Sequence, residues 1–504
     1  MASRDRSNWA HHTSLYLSAT YHPPLNFSGL SVTSRRPNAP SPHFRQQVYE
    51  ALKAWSADPG AGGTLTELRL TQQELEAGAA NARQATNRVL LAGLKALAST
   101  YDRDAFLLRL RFLDGVQTHQ VANRFNAAEP SIYRWQSQAI DRLAALLWQQ
   151  EEEAIAQRIT SLEARLEPAS YSQLFGVEAH QALLLAQLLA PSPAHLISIS
   201  GIGGIGKTSL ADSVLRAAIQ RQPEAEVAWV SARRQRFDLG GRLHSLSQPA
   251  LTVTALLDAL MVQLLPGVPR IAEPGRAMAA LRASFARRPT LLAIDNLETA
   301  ADVEELLPVL RGLANPARIL LTTRHTLHGE PGIFHLNVTE LSEADALRLV
   351  RQEATQRNLS ELAAASDAEL HAVYQTVGGN PLALRLLIGQ NHVRSLAGIL
   401  NDLAAARGAS VENLYEYIYR AAWSRLNELC RRVLLAMPLT PPSGGDLQQL
   451  MAISGMTAGA LSDALTELVT LNLVDARGQS LHQRRYAIHA LTRTFLLEQV
   501  ARWM

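Results

Sequence analysis

The chain is short of several things, and each shortage closes off a class of function. It has one cysteine in 504 residues, Cys430. A single thiol cannot form an intramolecular disulfide or a cysteine-built zinc site, and a reducing compartment suits it. No apolar run reaches the ~18 residues of a membrane-spanning helix. The N-terminus lacks the apolar stretch of a secretory signal. A cytoplasmic protein with no membrane partner is therefore expected. Lysine is nearly missing: Lys53, Lys95 and Lys207 are the whole complement, and arginine supplies the other 45 of 48 basic residues. That bias points to a GC-rich, bacterial coding sequence. A lysine kept against it is expected where a compact point charge is needed rather than a planar fork. No 20–50-residue repeat is visible, and no protease or nuclease constellation stands out.

What is present suffices for ordinary cores. Hydrophobic residues make up 47% of the chain, and the length suggests about three domains. Charge is unevenly spread. Residues 1–150 carry 16 basic and 11 acidic side chains, against 32 and 34 in the remainder. A mild basic bias of this kind permits nucleic-acid contact without requiring it.

The stretch that organises the chain is Gly201-Ile202-Gly203-Gly204-Ile205-Gly206-Lys207-Thr208. It has the form G-x-x-x-x-G-K-T, the phosphate-binding loop. An apolar strand pattern, His195 to Ser200, precedes it. A helical pattern opening at Ser209 follows it, which is the context the motif needs. The glycines let successive backbone N–H groups turn toward a polyphosphate, and the helix N-terminus adds partial positive charge. Lys207 is expected to reach the β- and γ-phosphates, and the Thr208 hydroxyl to help hold magnesium.

Ahead of the loop, residues 1–41 read as a disordered arm and 42–150 as a helical domain, with helical patterns at 44–55, 70–98 and 104–113. Within it, Thr118–Phe125, the turn Asn126–Glu129 and the helix opening at Pro130 follow a helix-turn-helix plan. Asn126 stands where a glycine is usual and tolerates a left-handed backbone. The stretch resembles region 4 of bacterial sigma factors, with Val121, Ala122 and Ile132 in its core positions. That resemblance implies a DNA-reading face of Tyr133, Arg134, Gln136 and Ser137 on the second helix. A helical bundle used for protein contact fits the same pattern, and both readings stay open. Residues 151–170 read as a charged linker helix, with Glu151-Glu152-Glu153 on a solvated face.

From residue 171 onward the chain resembles the STAND class of P-loop ATPases, in the NB-ARC form found in apoptosis scaffolds, plant immune receptors and bacterial regulators. Phe175-Gly176-Val177-Glu178 corresponds to that family's F-G-R-E turn beside the adenine, with Val177 replacing the arginine and losing its polar contact. Val227–Ser231 corresponds to the next strand. Leu291-Leu292-Ala293-Ile294-Asp295 has the Walker B pattern, an apolar strand ending in an acid that holds magnesium. The family's second acid is Asn296 here, which cannot act as a base, so slow hydrolysis is expected at most. Arg318–Arg324 resembles the family's R-I-L-L-T-T-R strand, which gives Arg324 the role of γ-phosphate sensor. Phe334–Val338 reads as a fifth strand. Gly378-Gly379-Asn380-Pro381-Leu382 resembles the G-L-P-L turn, whose proline touches the base. Residues 411–504 resemble a winged helix. Its Ile488-His489-Ala490 falls where the family carries Met-His-Asp, which implies that His489 contacts the β-phosphate of ADP.

The expected fold class is multidomain α/β plus α: an all-α N-terminal domain (42–150), a linker helix (151–170), a parallel-sheet P-loop NTPase domain (171–339), a helical domain (340–410) and a winged helix (411–504). The expected ligands are ATP or ADP with magnesium, held by Gly201, Gly203, Gly204, Ile205, Gly206, Lys207, Thr208, Ser209, Val177, Pro381 and His489. Lys207, Asp295 and Arg324 are the catalytic candidates. The resemblance implies a switch in bacterial signalling, in defence or stress response, closed with ADP and opening into a homo-oligomer with ATP. With no repeat array visible, sensing is expected to fall to the N-terminal 150 residues or to a separate sensor or effector protein, or to be absent. An ATP-gated DNA-binding regulator acting through residues 116–140 is a second reading. An ATP-dependent loader of the AAA+ kind is a third.

Overall fold

The computed structural model describes residues 40–56, 64–167, 169, 171–189, 195–232, 235–237, 243–245, 251–297, 300–390, 396–398, 426–441, 444–470, 473–477, 484–488, 492 and 496. The chain divides into two compact units, Met1–Glu153 and Ala154–Met504.

The first unit is helical: α1 (Pro42–Lys53), α2 (Arg69–Glu76), α3 (Ala82–Leu108), α4 (Thr118–Arg124) and α5 (Glu129–Glu163). Local chemistry explains the starts. The Ser41 hydroxyl accepts the Phe44 N–H at 3.1 Å, with Pro42 in the first helical position. The Asn81 side chain does the same for Gln84 at 2.9 Å. The helical pattern expected across 70–98 is broken after α2, where Gly78 adopts φ 93°. The helix expected at 104–113 is instead the end of the long α3, kinked at Tyr101, followed by one π-helical turn, Arg109–Leu113. Phe44, Val48, Leu52, Leu90, Leu94, Ile140, Leu143 and Leu147 form the core.

Asn126 takes φ 47° between α4 and α5, and Val121, Ala122 and Ile132 pack with Leu107 and Leu110. Two expectations are corrected. Gln136 is not on the outer face: it is only 8% exposed, and its Oε1 accepts from Arg111 Nε at 3.2 Å. Glu151 is not solvated: it is 2% exposed. Its two carboxylate oxygens accept the N–H groups of Arg69 at 2.8 Å and Leu70 at 3.1 Å. It therefore caps α2 from 82 residues away in sequence, satisfying donors that a helix start leaves orphaned. α5 runs unbroken through Glu163, past the boundary between the two units at Glu153.

The second unit is built on a five-stranded sheet of β1 (Leu196–Ser200), β2 (Glu226–Ser231), β5 (Thr290–Leu297), β6 (Arg318–Thr323) and β7 (Ile333–Asn337). The order is β2-β5-β6-β1-β7 and every pairing is parallel. β1 and β5 were legible as apolar runs, which a sheet covered on both faces needs, and β2 and β6 through the resemblance of their sequences to family strands. Alternate side chains feed two cores. Ile197, Ile199, Leu291, Ala293 and Leu320 join α6 (Glu178–Leu189) and α7 (Lys207–Arg221) on one face. Leu292, Ile294, Ile319 and Leu321 join α8 (Val253–Leu264), α9 (Pro274–Phe285) and α10 (Ala300–Leu313) on the other. A short antiparallel pair, β3 (Gln235–Phe237) with β4 (Leu243–Ser245), was not anticipated.

Beyond the sheet come α11 (Glu343–Gln356), α12 (Ser360–Ala363), α13 (Asp367–Val377) and α14 (Pro381–Gln390). Ser342 caps α11, and Ser366 with Glu369 forms a capping box on α13. Then follow α15 (Glu428–Ala436), α16 (Leu447–Ser454) and α17 (Ala458–Thr470), and the antiparallel pair β8 (Asp475–Arg477) and β9 (Arg485–Ala487). Gly445 bridges to Tyr486 at the edge of that pair. Among the described residues, no helix is long and apolar enough to cross a membrane.

Candidate nucleotide-binding site

The P-loop leaves β1 at its C-terminal end and enters α7 at Lys207. Open parallel sheets bind ligands at such strand ends. Three glycines in the loop have positive φ: Gly201 at 150°, Gly204 at 77° and Gly206 at 100°. Only glycine adopts these angles without strain. Close contact reinforces the requirement. A Cβ on Gly201 would stand 2.8 Å from the Val338 carbonyl oxygen, and one on Gly204 would stand 2.7 Å from Leu382 Cβ. Lys207 is buried, and its Nζ donates to the carbonyls of Gly201 and Ile202, both at 2.8 Å. That lays the ammonium along the loop.

Thr208 and Asp295 meet, as two groups serving one ion should. The Thr208 hydroxyl donates to Asp295 Oδ1 at 2.8 Å, and Asp295 is 0% exposed. The Thr322 hydroxyl donates to the same oxygen at 2.7 Å and accepts the Asn296 N–H at 2.7 Å. Thr322 thus fixes both the carboxylate and the backbone beside it. It was overlooked because a threonine inside an apolar strand resembles an ordinary β-former. Asn296 sits at φ 71° in an irregularity of β5, and its side-chain Nδ2 is buried without a hydrogen-bond partner. An unpaired buried donor of this kind costs stability unless a ligand satisfies it.

Arg324 directly follows β6, whose last residue Thr323 pairs with Ser200, the residue before Gly201. The register therefore brings Arg324 to the same sheet end as the P-loop. Pro381 opens α14, whose first turn lies against the loop: the Leu382 N–H donates to the Gly204 carbonyl at 3.2 Å. Val177 precedes α6, and packs on the core that contains Ile202 and Ile205. Beside it, Gly176 at φ 63° lies so close to Asp345 that a Cβ would meet its carboxylate at 2.5 Å. Ser209 lies in the first turn of α7. His489 falls outside the described residues. Tyr133, Arg134 and Gln136 belong to the other compact unit.

The residues fit a nucleotide with a hard divalent cation. The donor set is one hydroxyl and one carboxylate beside a glycine cradle and an ammonium. Magnesium is typically held this way, with substrate phosphates completing the shell. Among the described residues, no group of three or more His, Cys, Asp or Glu converges to form a protein-only metal cage.

One further group supports the P-loop helix. The Tyr171 hydroxyl donates to Asp212 Oδ2 at 2.7 Å, and Arg216 Nε donates to the same oxygen at 2.9 Å. Burial first, and then the Asp212 carboxylate, push the Tyr171 phenol above its usual range. It stays a neutral donor that ties residue 171 to α7.

Residues 177–360 match the family model of the NB-ARC domain. This segment is an NB-ARC domain. Curated relatives agree at low identity. The chain is 25% identical over 233 residues to disease resistance RPP8-like protein 3 of Arabidopsis thaliana, covering 44% of this chain and 23% of that protein. It is 25% identical over 307 residues to the regulatory protein AfsR of Streptomyces coelicolor, covering 59% and 28%. The chain thus spans about a quarter of the length of these relatives. Among solved structures, the Aeropyrum pernix ORC2 protein aligns at 15% identity over 67% of this chain and 98% of that one, with TM-score 0.32. A STAND protein with a tetratricopeptide repeat sensor from Pyrococcus horikoshii aligns at 16% identity over 66% and 44%, with TM-score 0.30. Scores at that level carry no argument about this chain.

Proposed function

We propose that the NB-ARC domain of this chain makes it a nucleotide-dependent switch, closed with ADP and opening into a homo-oligomer with ATP. The observation that carries the reading is the packing of α14 directly on the P-loop, with Leu382 N–H on the Gly204 carbonyl. A loop that only hydrolysed nucleotide would not need a second helical element seated on its backbone. Here the phosphate site and the helical elements after the sheet share hydrogen bonds, so occupancy of one biases the position of the other.

In this reading the glycine cradle and Lys207 hold the phosphates. Thr208 and Asp295 would hold magnesium, which neutralises phosphate charge when bound. Arg324 reads the γ-phosphate from the end of β6, and Pro381 lies against the base. The helices α15 to α17 with β8 and β9 act as the winged helix that moves on exchange. Flipping an equilibrium from 1:99 to 99:1 takes about 5.5 kcal/mol of differential binding. Charged hydrogen bonds contribute about 1.5–3 kcal/mol each, so two or three changed contacts suffice without rapid hydrolysis. Asn296 in place of a second acid agrees with slow turnover. The proposed setting is bacterial signalling in defence or stress response, with the N-terminal helices contacting a separate sensor or effector.

The deciding experiment identifies the nucleotide that co-purifies and measures particle size with ADP and with ATP plus magnesium. Bound ADP in a monomer, and a larger species with ATP, is the expected result. A chain that purifies without nucleotide and never changes size would overturn the switch.

A second reading, DNA binding by the first unit, draws on the left-handed Asn126 between α4 and α5 and on the exposed Tyr133 and Arg134. Gel-shift binding that weakens with salt and is lost in Arg134→Ala would support it. Binding unaffected by that change would remove it.

A further inference from the structure

Four consecutive P-loop carbonyls are engaged from two directions. Lys207 Nζ takes Gly201 and Ile202. From the other side, Asn380 Nδ2 donates to the Gly203 carbonyl at 3.1 Å, and Leu382 N–H donates to the Gly204 carbonyl at 3.2 Å. Asn380 is 0% exposed. Its Oδ1 accepts the N–H groups of Leu382 at 3.0 Å and Ala383 at 3.2 Å, the capping bonds of α14. Both ends of the amide are therefore committed, one to starting α14 and the other to the P-loop.

Peptide geometry turns those contacts into a statement about phosphate binding. A trans peptide is planar, with its C=O and the following N–H pointing in opposite directions. The bond to the Gly203 carbonyl thus fixes the Gly204 N–H, and the bond to the Gly204 carbonyl fixes the Ile205 N–H. Both donors are aimed away from α14. Neither has a partner among the described residues, and Ile205 is buried while Gly204 is half-buried. Buried backbone N–H groups are almost always paired in native proteins, and consecutive unpaired ones in a glycine turn make an anion-binding nest.

We propose that Asn380 is a positioning residue for the phosphate site: its amide, anchored at the start of α14, sets the aim of the Gly204 N–H donor toward the diphosphate of a bound nucleotide. The inference rests on the nucleotide reading above and deepens it. Asparagine suits both tasks in a way its substitutes do not. Aspartate could cap α14 but would set a carboxylate against the Gly203 carbonyl. Serine could cap it but is too short to reach the loop. Leucine could do neither. Coupling follows directly. Lifting α14 releases the Gly203–Gly204 peptide and weakens phosphate binding. Bound phosphate, by reciprocity, holds α14 down.

The test compares the wild-type chain, Asn380→Ser and Asn380→Asp. ADP affinity is measured by titration, adenosine affinity by competition, and unfolding temperature without nucleotide. Both variants keep an N-cap oxygen for α14, so each checks the other for folding. The expected result is an ADP affinity lowered about three- to tenfold in Asn380→Ser, as loss of one hydrogen bond implies, with adenosine affinity unchanged. Asn380→Asp, which adds negative charge beside the phosphates, should be weaker still. An ADP affinity within twofold of wild type overturns the proposal. So does an equal loss for ADP and adenosine, which would mark a general packing role. Failure of the wild-type chain to bind ADP would instead bring down the nucleotide reading itself.

Discussion

The Thr208 hydroxyl and Asp295 Oδ1 lie 2.8 Å apart, joining the P-loop helix to the end of the strand two places away in the sheet order. Thr322 donates to the same oxygen, so one carboxylate organises three elements. Replacing Asp295 by asparagine keeps the volume but removes the charge that would balance a divalent cation. ATP binding to Asp295→Asn should lose most of its magnesium dependence. Comparing affinities in magnesium and in a chelator checks this, and an undiminished magnesium effect would place the cation elsewhere.

Asn296 adopts φ 71° beside that carboxylate, with an unpaired Nδ2. Aspartate tolerates the same left-handed backbone, so Asn296→Asp should fold normally while supplying a general base. Phosphate release should rise by at least about tenfold, against the ~10²–10⁴-fold that well-placed general bases contribute. No gain in turnover would show that Asn296 is not what slows the reaction.

Lys207→Ala should abolish nucleotide binding, measured by titration with ADP and ATP. The lysine also ties two loop carbonyls, so a stability loss of about 1–2 kcal/mol is expected as well. Denaturant unfolding should show that much and little more. A variant still binding ADP at wild-type affinity would be incompatible with the proposed site.

How much of this was readable in advance depends on the range of the interaction. The strands, the P-loop and the left-handed Asn126 are local matters of apolar runs, glycine spacing and one turn residue, and the sequence displays them. Asn380 entered the sequence reading only as a member of the turn before Pro381. Its bond to Gly203 spans 177 positions, and no local pattern encodes such a reach. Glu151 looked like one of three solvated acids, and Gln136 like part of an exposed face. Both are decided by which helix happens to cover them.

Glu226 offers a pH test. Burial acts against its carboxylate, but Arg158 at 2.7 Å and Arg165 at 2.8 Å outweigh that and hold its carboxyl below the usual 4.5. A depressed folded value means stabilisation that is complete above 4.5 and is lost as pH falls through the lower folded value. Wild-type stability should therefore drop more steeply than that of Glu226→Gln in the acid range below 4.5. Parallel pH profiles from chemical denaturation would contradict this.

Glu151→Ala should uncap α2 and leave the Arg69 and Leu70 N–H groups without their acceptor. A cost of about 2 kcal/mol is expected for a charged cap in a buried setting. Hydrogen exchange should quicken first at residues 69–76, and unchanged protection there would refute the capping role.

The sheet order has a consequence for how the protein is made. β1, which delivers the P-loop, lies between β6 and β7, and both of these are translated more than a hundred residues after it. An emerging chain can pair β2 with β5 while β1 still has no neighbour. The loop's own backbone is braced last of all, when Asn380 and Leu382 arrive. Domains fold largely as units during synthesis, and long-range parallel pairings form late. Capture of ADP by a ribosome-bound nascent chain would therefore mark the moment at which the whole domain, and not merely its signature motif, has left the exit tunnel.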